Sequence, residues 1–167
     1  MKLSIDRDWY EFLCALIDRQ VKFLVVGGHA VAAHGHPRFT KDLDVLVAAS
    51  VANGQRLRAA LTDFGFGAVA PAASELAKPG PGWLLGRVPN RIDIITKIDG
   101  VTFARAWSNR VAAELDSART VWIIARSDLI ANKRAAARLQ DLADVAALEA
   151  MQPRGPRRTK RPRSRPT

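Results

Sequence analysis

Phe23 to Val47 reads FLVVGGHAVAAHGHPRFTKDLDVLV, and this stretch decides the fold. It opens on a short apolar run, Phe23 to Val26, which predicts a buried strand. Gly27-Gly28 then marks a tight turn, where backbone amides can approach a ligand closely. His29 to His34 predicts a short helix. A strand–glycine turn–helix step adds partial positive charge at the helix start and suits a phosphate, although a Gly-Gly pair alone is more often only a tight turn. Gly35 to Lys41, with Pro37, reads as a loop, and Leu43 to Val47 as a second strand. Asp42 and Asp44, at i and i+2, then share one face of that strand. Left unpaired they repel and shift each other's pKa. A divalent cation resolves the repulsion, and Mg²⁺ favours carboxylate oxygens together with substrate phosphates. A solvated strand start is the alternative for this pair by itself.

Outward from this stretch the elements alternate between helix and strand periods. Trp9, Phe12, Leu13, Leu16 and Ile17 predict a helix over 6–20. Gln55 to Phe64 predicts a helix ending at Gly65. Residues 67–82, rich in Ala, Pro and Gly, read as a long surface loop. Leu84 to Val88 and Arg91 to Thr96 predict strands joined by Pro89-Asn90, and Thr120 to Ala125 a further strand. Ser127 is the expected cap of a helix from Asp128 to about Ala137, and Gln140 to Met151 continues as another. The expected class is α+β, with one central mixed sheet, flanking helices and C-terminal helices. Trp83, Trp107 and Trp122 fit either core or interface.

Composition sets the bounds. The chain has 167 residues, 48% hydrophobic and 25% charged, ordinary values for one globular domain. A single cysteine, Cys14, excludes an intrachain disulfide and a cysteine-based zinc site. No apolar run approaches a membrane span, and MKLSIDRDWYEF carries no export signal, so a soluble cytoplasmic protein is expected. Lys and Arg number 26 against 16 acids, a net charge of +10. Seven of those basic residues lie in QPRGPRRTKRPRSRPT, residues 152–167, with four prolines and no acid. The expected division is a folded domain over 1–151 and a disordered basic tail over 152–167. Such a tail attracts polyanions without sequence preference, or serves only to solubilise.

Asp93, inside Arg91-Ile92-Asp93-Ile94-Ile95, is the third candidate acid. A lone carboxylate in an apolar strand is costly unless paired or metal-bound. If its strand lies beside 43–47, Asp93 joins Asp42 and Asp44, and three carboxylates can hold two Mg²⁺ ions that clamp a phosphoryl or nucleotidyl transfer. The alternative is an edge-strand acid paired with Arg91 or Arg87.

The segment from Val26-Gly27-Gly28-His29-Ala30 through His34-Gly35, Arg38 and Thr40 to Asp42-Leu43-Asp44-Val45 resembles the nucleotidyltransferase superfamily with the DNA polymerase β-like fold. It is most similar to minimal nucleotidyltransferases and abortive-infection type nucleotidyltransferase toxins. Asp128-Leu129-Ile130-Ala131-Asn132-Lys133 and Gln140-Asp141-Leu142-Ala143-Asp144-Val145 look like a second family segment. The resemblance implies that Asp42, Asp44 and Asp93 are catalytic and bind Mg²⁺ or Mn²⁺. It also implies that Gly27, Gly28, Arg38, Thr40 and Lys133 bind the NTP. Arg38 and Lys41 either neutralise phosphate or balance the acid pair. Asp141 and Asp144, three residues apart, share a helix face and are read as orienting Lys133 or Arg38, or capping the last helix, rather than binding metal. Many relatives carry Gly-Ser where this chain has Gly27-Gly28, and lysine where it has Gln140. A structural hydrogen bond is expected of His34.

The implied reaction moves an NMP from an NTP to an acceptor hydroxyl. The tail favours an RNA acceptor, with the tRNA 3′ end in a toxin–antitoxin setting as first choice. A hydroxyl of a cognate toxin protein, AMPylated by an antitoxin-type enzyme, is the second. A non-catalytic nucleic-acid- or partner-binding module on the same fold is the reading from another class.

Overall fold

A computed structural model describes residues 1–80, 82–87 and 90–151. The basic segment 152–167, Val88 at the end of the expected third strand and Pro89 of the expected turn lie outside the described residues.

The amphipathic N-terminal sequence forms helix α1, Arg7–Asp18, which buries Trp9, Phe12, Leu13 and Leu16 along one stripe. β1, Phe23–Val25, is wholly buried, and α2, Gly27–Ala33, starts at the first glycine of the turn. β2, Asp42–Val47, alternates half-buried acids with a buried apolar set. Then come α3 (Val51–Asp63), α4 (Ala73–Leu76), β3 (Trp83–Leu85), β4 (Arg91–Ile95), α5 (Phe103–Asn109) and β5 (Val111–Glu114). β6 (Thr120–Ile123), α6 (Arg126–Ala136) and α7 (Leu139–Ala150) complete the described chain. The six strands form one mixed sheet in the order β3-β4-β2-β1-β6-β5. β2 runs parallel to β4 and antiparallel to β1, and β1 runs parallel to β6. The α+β class with a central mixed sheet is as the sequence implies.

Three local expectations and one alternative reading are corrected. α3 begins at Val51 and not at Gln55, because Asn53 and Gly54 do not break it. Ser50 caps it by accepting from the Asn53 N–H. Asn53 is buried and staples two strands: it accepts from the Lys22 N–H at 2.7 Å and donates to the carbonyls of Lys22 and Ala48 at 3.1 and 2.9 Å. The stretch 67–82 is not all loop, since α4 buries Leu76 completely against the core. Ser127 does not cap α6; the helix starts one residue before it, with Ala125 at the cap position and no side-chain cap. The region 100–119 carries α5 and β5, two elements its sequence does not announce. Asp93, finally, is not on an edge strand: β4 lies inside the sheet between β3 and β2.

The tryptophans pack partly into the core. Trp107 and Trp122 hold the Arg110 guanidinium between them, 4.2 and 4.5 Å from the two ring centres.

Gly54 shows how tightly α3 and α4 meet. A Cβ there would lie 2.4 Å from the Ala73 carbonyl oxygen. In a free helix Gly→Ala stabilises by about 1 kcal/mol. Here Gly54→Ala is expected to destabilise the protein by about 1–3 kcal/mol, read from the urea midpoint. A midpoint that rises would show that the two helices are not in this contact.

Candidate active site

The site is built at one end of the sheet, where β1 ends and β2 and β4 begin. β1 leads into the glycine turn, and the Val26 N–H donates to the Asp44 carbonyl at 3.0 Å, so turn and acid strand are tied. Gly27 has φ +61°, and a Cβ on it would stand 2.0 Å from Asp44 Oδ2. Only glycine meets both conditions. At Gly28 a Cβ would meet Thr40 Oγ1 at 2.8 Å, with Arg38 Nη1 at 3.3 Å. Thr40 thus fills the space that a serine at position 28 would need, and places a hydroxyl there instead. That hydroxyl also donates to Asp42 Oδ1 at 3.2 Å.

The parallel pairing of β2 and β4 sets Asp44 opposite Asp93 and Asp42 opposite Arg91. Asp42, Asp44 and Asp93 therefore gather on one face, as their spacing implies if the two strands are neighbours. Burial, then Asp42 and then Asp93 push the Asp44 carboxyl up to about 7, against the pull of Lys133 and Arg138. Burial also raises Asp93; Arg91 opposes the rise and Asp42 adds to it. Among the described residues no side chain hydrogen-bonds or ion-pairs with Asp44.

From the sequence Arg91 is only an alternative partner for Asp93. In the structure it touches two of the three acids. Its Nη2 donates to Asp42 Oδ2 in a short contact and to Asp93 Oδ2 at 3.2 Å, while its Nε lies 2.9 Å from Asp93 Oδ1. That last approach is misaligned, so Arg91 Nε and Asp93 Oδ1 are both buried without a hydrogen bond.

The facing wall comes from α6 and α7. Lys133 is buried on α6, and its Nζ lies 2.8 Å from both Asp141 Oδ1 and Asp144 Oδ2. Arg38 forks onto Asp144 at 2.8 and 3.0 Å, Arg138 donates to Asp141 at 2.7 Å, and Gln140 donates to Asp144 at 3.2 Å. Burial pushes Asp141 and Asp144 up. The bonds and charges of Lys133 and Arg138 on Asp141, and of Arg38, Lys133 and Gln140 on Asp144, outweigh it and hold both below the ordinary carboxylate range. Asp141 and Asp144 thus orient Lys133 and Arg38. Lys133 is not a solvated helix lysine; two of its three N–H donors are engaged by α7. Arg138, in the turn between α6 and α7, is a basic wall residue that no local pattern marks as more than a charge between two helices.

A cavity of about 260 Å³ lies between sheet and wall, lined among others by Gly27, Gly28, Arg38, Thr40, the three acids and Lys133. A second, of about 350 Å³, shares Gly27, Asp44, Lys133 and Arg138 and extends past Lys97, Asp99 and Asn132. Asp44 thus borders both spaces. The histidines do not line either one. His34 Nε2 bonds to the Ile124 carbonyl at 2.8 Å, the structural role expected of it. His29 packs edge-on against Trp9 at 4.8 Å, and burial lowers its pKa.

The donor set suits a hard divalent cation: three carboxylates, one unpartnered and one with an orphaned buried oxygen. Among the described residues no three such donors already stand at metal-binding spacing, and Arg91 sits between Asp42 and Asp93. Among those residues, too, no helix is long and apolar enough to cross a membrane.

Residues 9–152 match the model of a family described as a nucleotidyltransferase of unknown function (DUF6036). No curated protein matches the chain.

Two stability predictions follow from the charges. Asp44 binds its proton more tightly in the folded than in the unfolded chain, so stability falls as pH rises from about 4 through 7. In EDTA, Asp44→Asn should match the wild type near pH 4 and exceed it by about 2–4 kcal/mol at pH 8; a pH-independent difference would refute the assignment. Lys133→Met leaves Asp144, which is fully buried, short of a partner. It should lose about 3–5 kcal/mol in urea unfolding, and a loss below about 1 kcal/mol would show the pair to be dispensable.

Proposed function

Because the chain belongs to this nucleotidyltransferase family, we propose that it transfers a nucleoside monophosphate from an NTP to an acceptor hydroxyl and releases pyrophosphate. The observation that carries the reading is the register of β2 and β4. It sets Asp44 opposite Asp93, beside Asp42 and under the glycine turn.

In this reading Asp42, Asp44 and Asp93 hold Mg²⁺ or Mn²⁺, which supplies charge neutralisation for the phosphates. The chain's own residues position the rest. The Gly27 and Gly28 backbone, the Thr40 hydroxyl and Arg38 take the triphosphate. Lys133 keeps its third N–H for phosphate while α7 holds the other two. The acceptor oxygen forms its bond to the α-phosphorus as the bond to the bridging oxygen breaks. Pyrophosphate leaves with that electron pair, and the hydroxyl proton passes to Asp93 or to water. Asp93 suits this because burial holds its proton affinity above that of an ordinary aspartate.

The acceptor follows from charge. Seven basic residues in 152–167 favour RNA, and the tRNA 3′ end is the substrate proposed, in a toxin–antitoxin setting. One observation favours the non-catalytic reading instead: Arg91 already neutralises two of the three acids.

Purified protein with each α-labelled NTP, Mg²⁺ or Mn²⁺, and tRNA or cell lysate tests these readings. Label should enter RNA, and Asp44→Asn should lower the rate by about a thousandfold or more. Removing 152–167 should raise KM and flatten its salt dependence. Label in a protein band would make protein AMPylation the activity. No label with any NTP would leave the binding module.

A further inference from the structure

The acid face holds three carboxylates and one intimate cation. Arg91 is not drawn there by local sequence. It reaches Asp42 because β4 lies parallel to β2 in a register that puts the two residues side by side, 49 positions apart in the chain. One guanidinium contacts Asp42 and both oxygens of Asp93. Its planar fork presents several donors at fixed spacing, which lets one group reach both carboxylates at once. The span is imperfect, since Arg91 Nε and Asp93 Oδ1 face each other without a hydrogen bond. The Arg91 side chain is 34% exposed, so it has a path to solvent that needs no movement of the sheet.

We propose that Arg91 is a tethered counter-cation that occupies the position of a divalent ion between Asp42 and Asp93 and must be displaced for the ion to bind. This inference rests on the metal site of the proposed function and adds a competitor to it. The acids then stay compensated without metal, and metal affinity is set by how readily the guanidinium leaves. Asp44, which Arg91 does not touch, is where an arriving ion finds its first free carboxylate. Arg91 is thereby a positioning residue, acting through Asp42 and Asp93 rather than on a substrate.

The test is Mn²⁺ binding to the full chain without nucleotide, followed by the EPR signal of free Mn²⁺, for wild type, Arg91→Met and Arg91→Lys. Unfolding temperatures in EDTA and in Mn²⁺ are measured alongside. Arg91→Met should bind Mn²⁺ about tenfold or more tighter than wild type. It should unfold at lower temperature in EDTA and recover in Mn²⁺. Arg91→Lys, which keeps the charge and loses the fork, should bind with intermediate affinity. A purely structural arginine would change the unfolding temperature and leave Mn²⁺ affinity alone, and that result overturns the proposal. If Arg91→Met does not fold, an Arg91→Lys affinity equal to wild type overturns it likewise. Saturable Mn²⁺ binding of equal strength in all three keeps the metal site and removes the competitor. No binding in any of them refutes the metal site itself.

Discussion

Two parallel strands one spacing apart, about 4.8 Å, carry Asp44 and Asp93 at the same level of the sheet. Carboxyl groups set side by side on neighbouring strands, with the glycine turn against one of them, are the constraint to which the surroundings respond. Gly27 must lack a side chain because Asp44 stands against it. Arg91 bridges the neighbouring acids. Lys133 and Arg138 lie close enough to pull on Asp44 without pairing with it.

The charge is arranged in layers. The sheet supplies one set of acids, and α7 supplies another in Asp141 and Asp144. Between them stand cations whose geometry α7 fixes: Lys133 on two carboxylates, Arg38 forked on one and Arg138 at the rim. The acids of α7 are fully compensated and low in pKa, while Asp44 is under-compensated and high. This difference separates groups that hold the wall together from a group left in want of positive charge. A nucleotide with its cation would meet both needs: phosphate for the basic wall and metal for the acid face.

What was legible in the sequence lies where a local pattern allows only a few physical readings. The glycine turn, the i, i+2 acids and the lone Asp93 in an apolar strand each name their own environment. The apolar stripe of α1 does the same. The rest depends on partners far along the chain. Arg91 pairs with Asp42 only through strand register. Arg138 reads as an ordinary turn residue until α7 folds back over the sheet. Asn53-Gly54 looks like a helix break, yet Asn53 is spent on two strand backbones and Gly54 on the passage of α4. Leu76 hides in an Ala/Pro/Gly-rich stretch whose composition suggests no core at all.

Thr40 and position 28 compete for one volume. A hydroxyl can be presented to the cavity from the loop, as here, or from the start of α2, as in the Gly-Ser form. With both side chains present the atoms overlap; with neither, the hydroxyl is lost. Single steps between the two arrangements therefore pass through a crowded or an emptied intermediate. In this chain a side chain can enter at position 28 only as Thr40 gives up its place, so the two positions act as one seat for one hydroxyl.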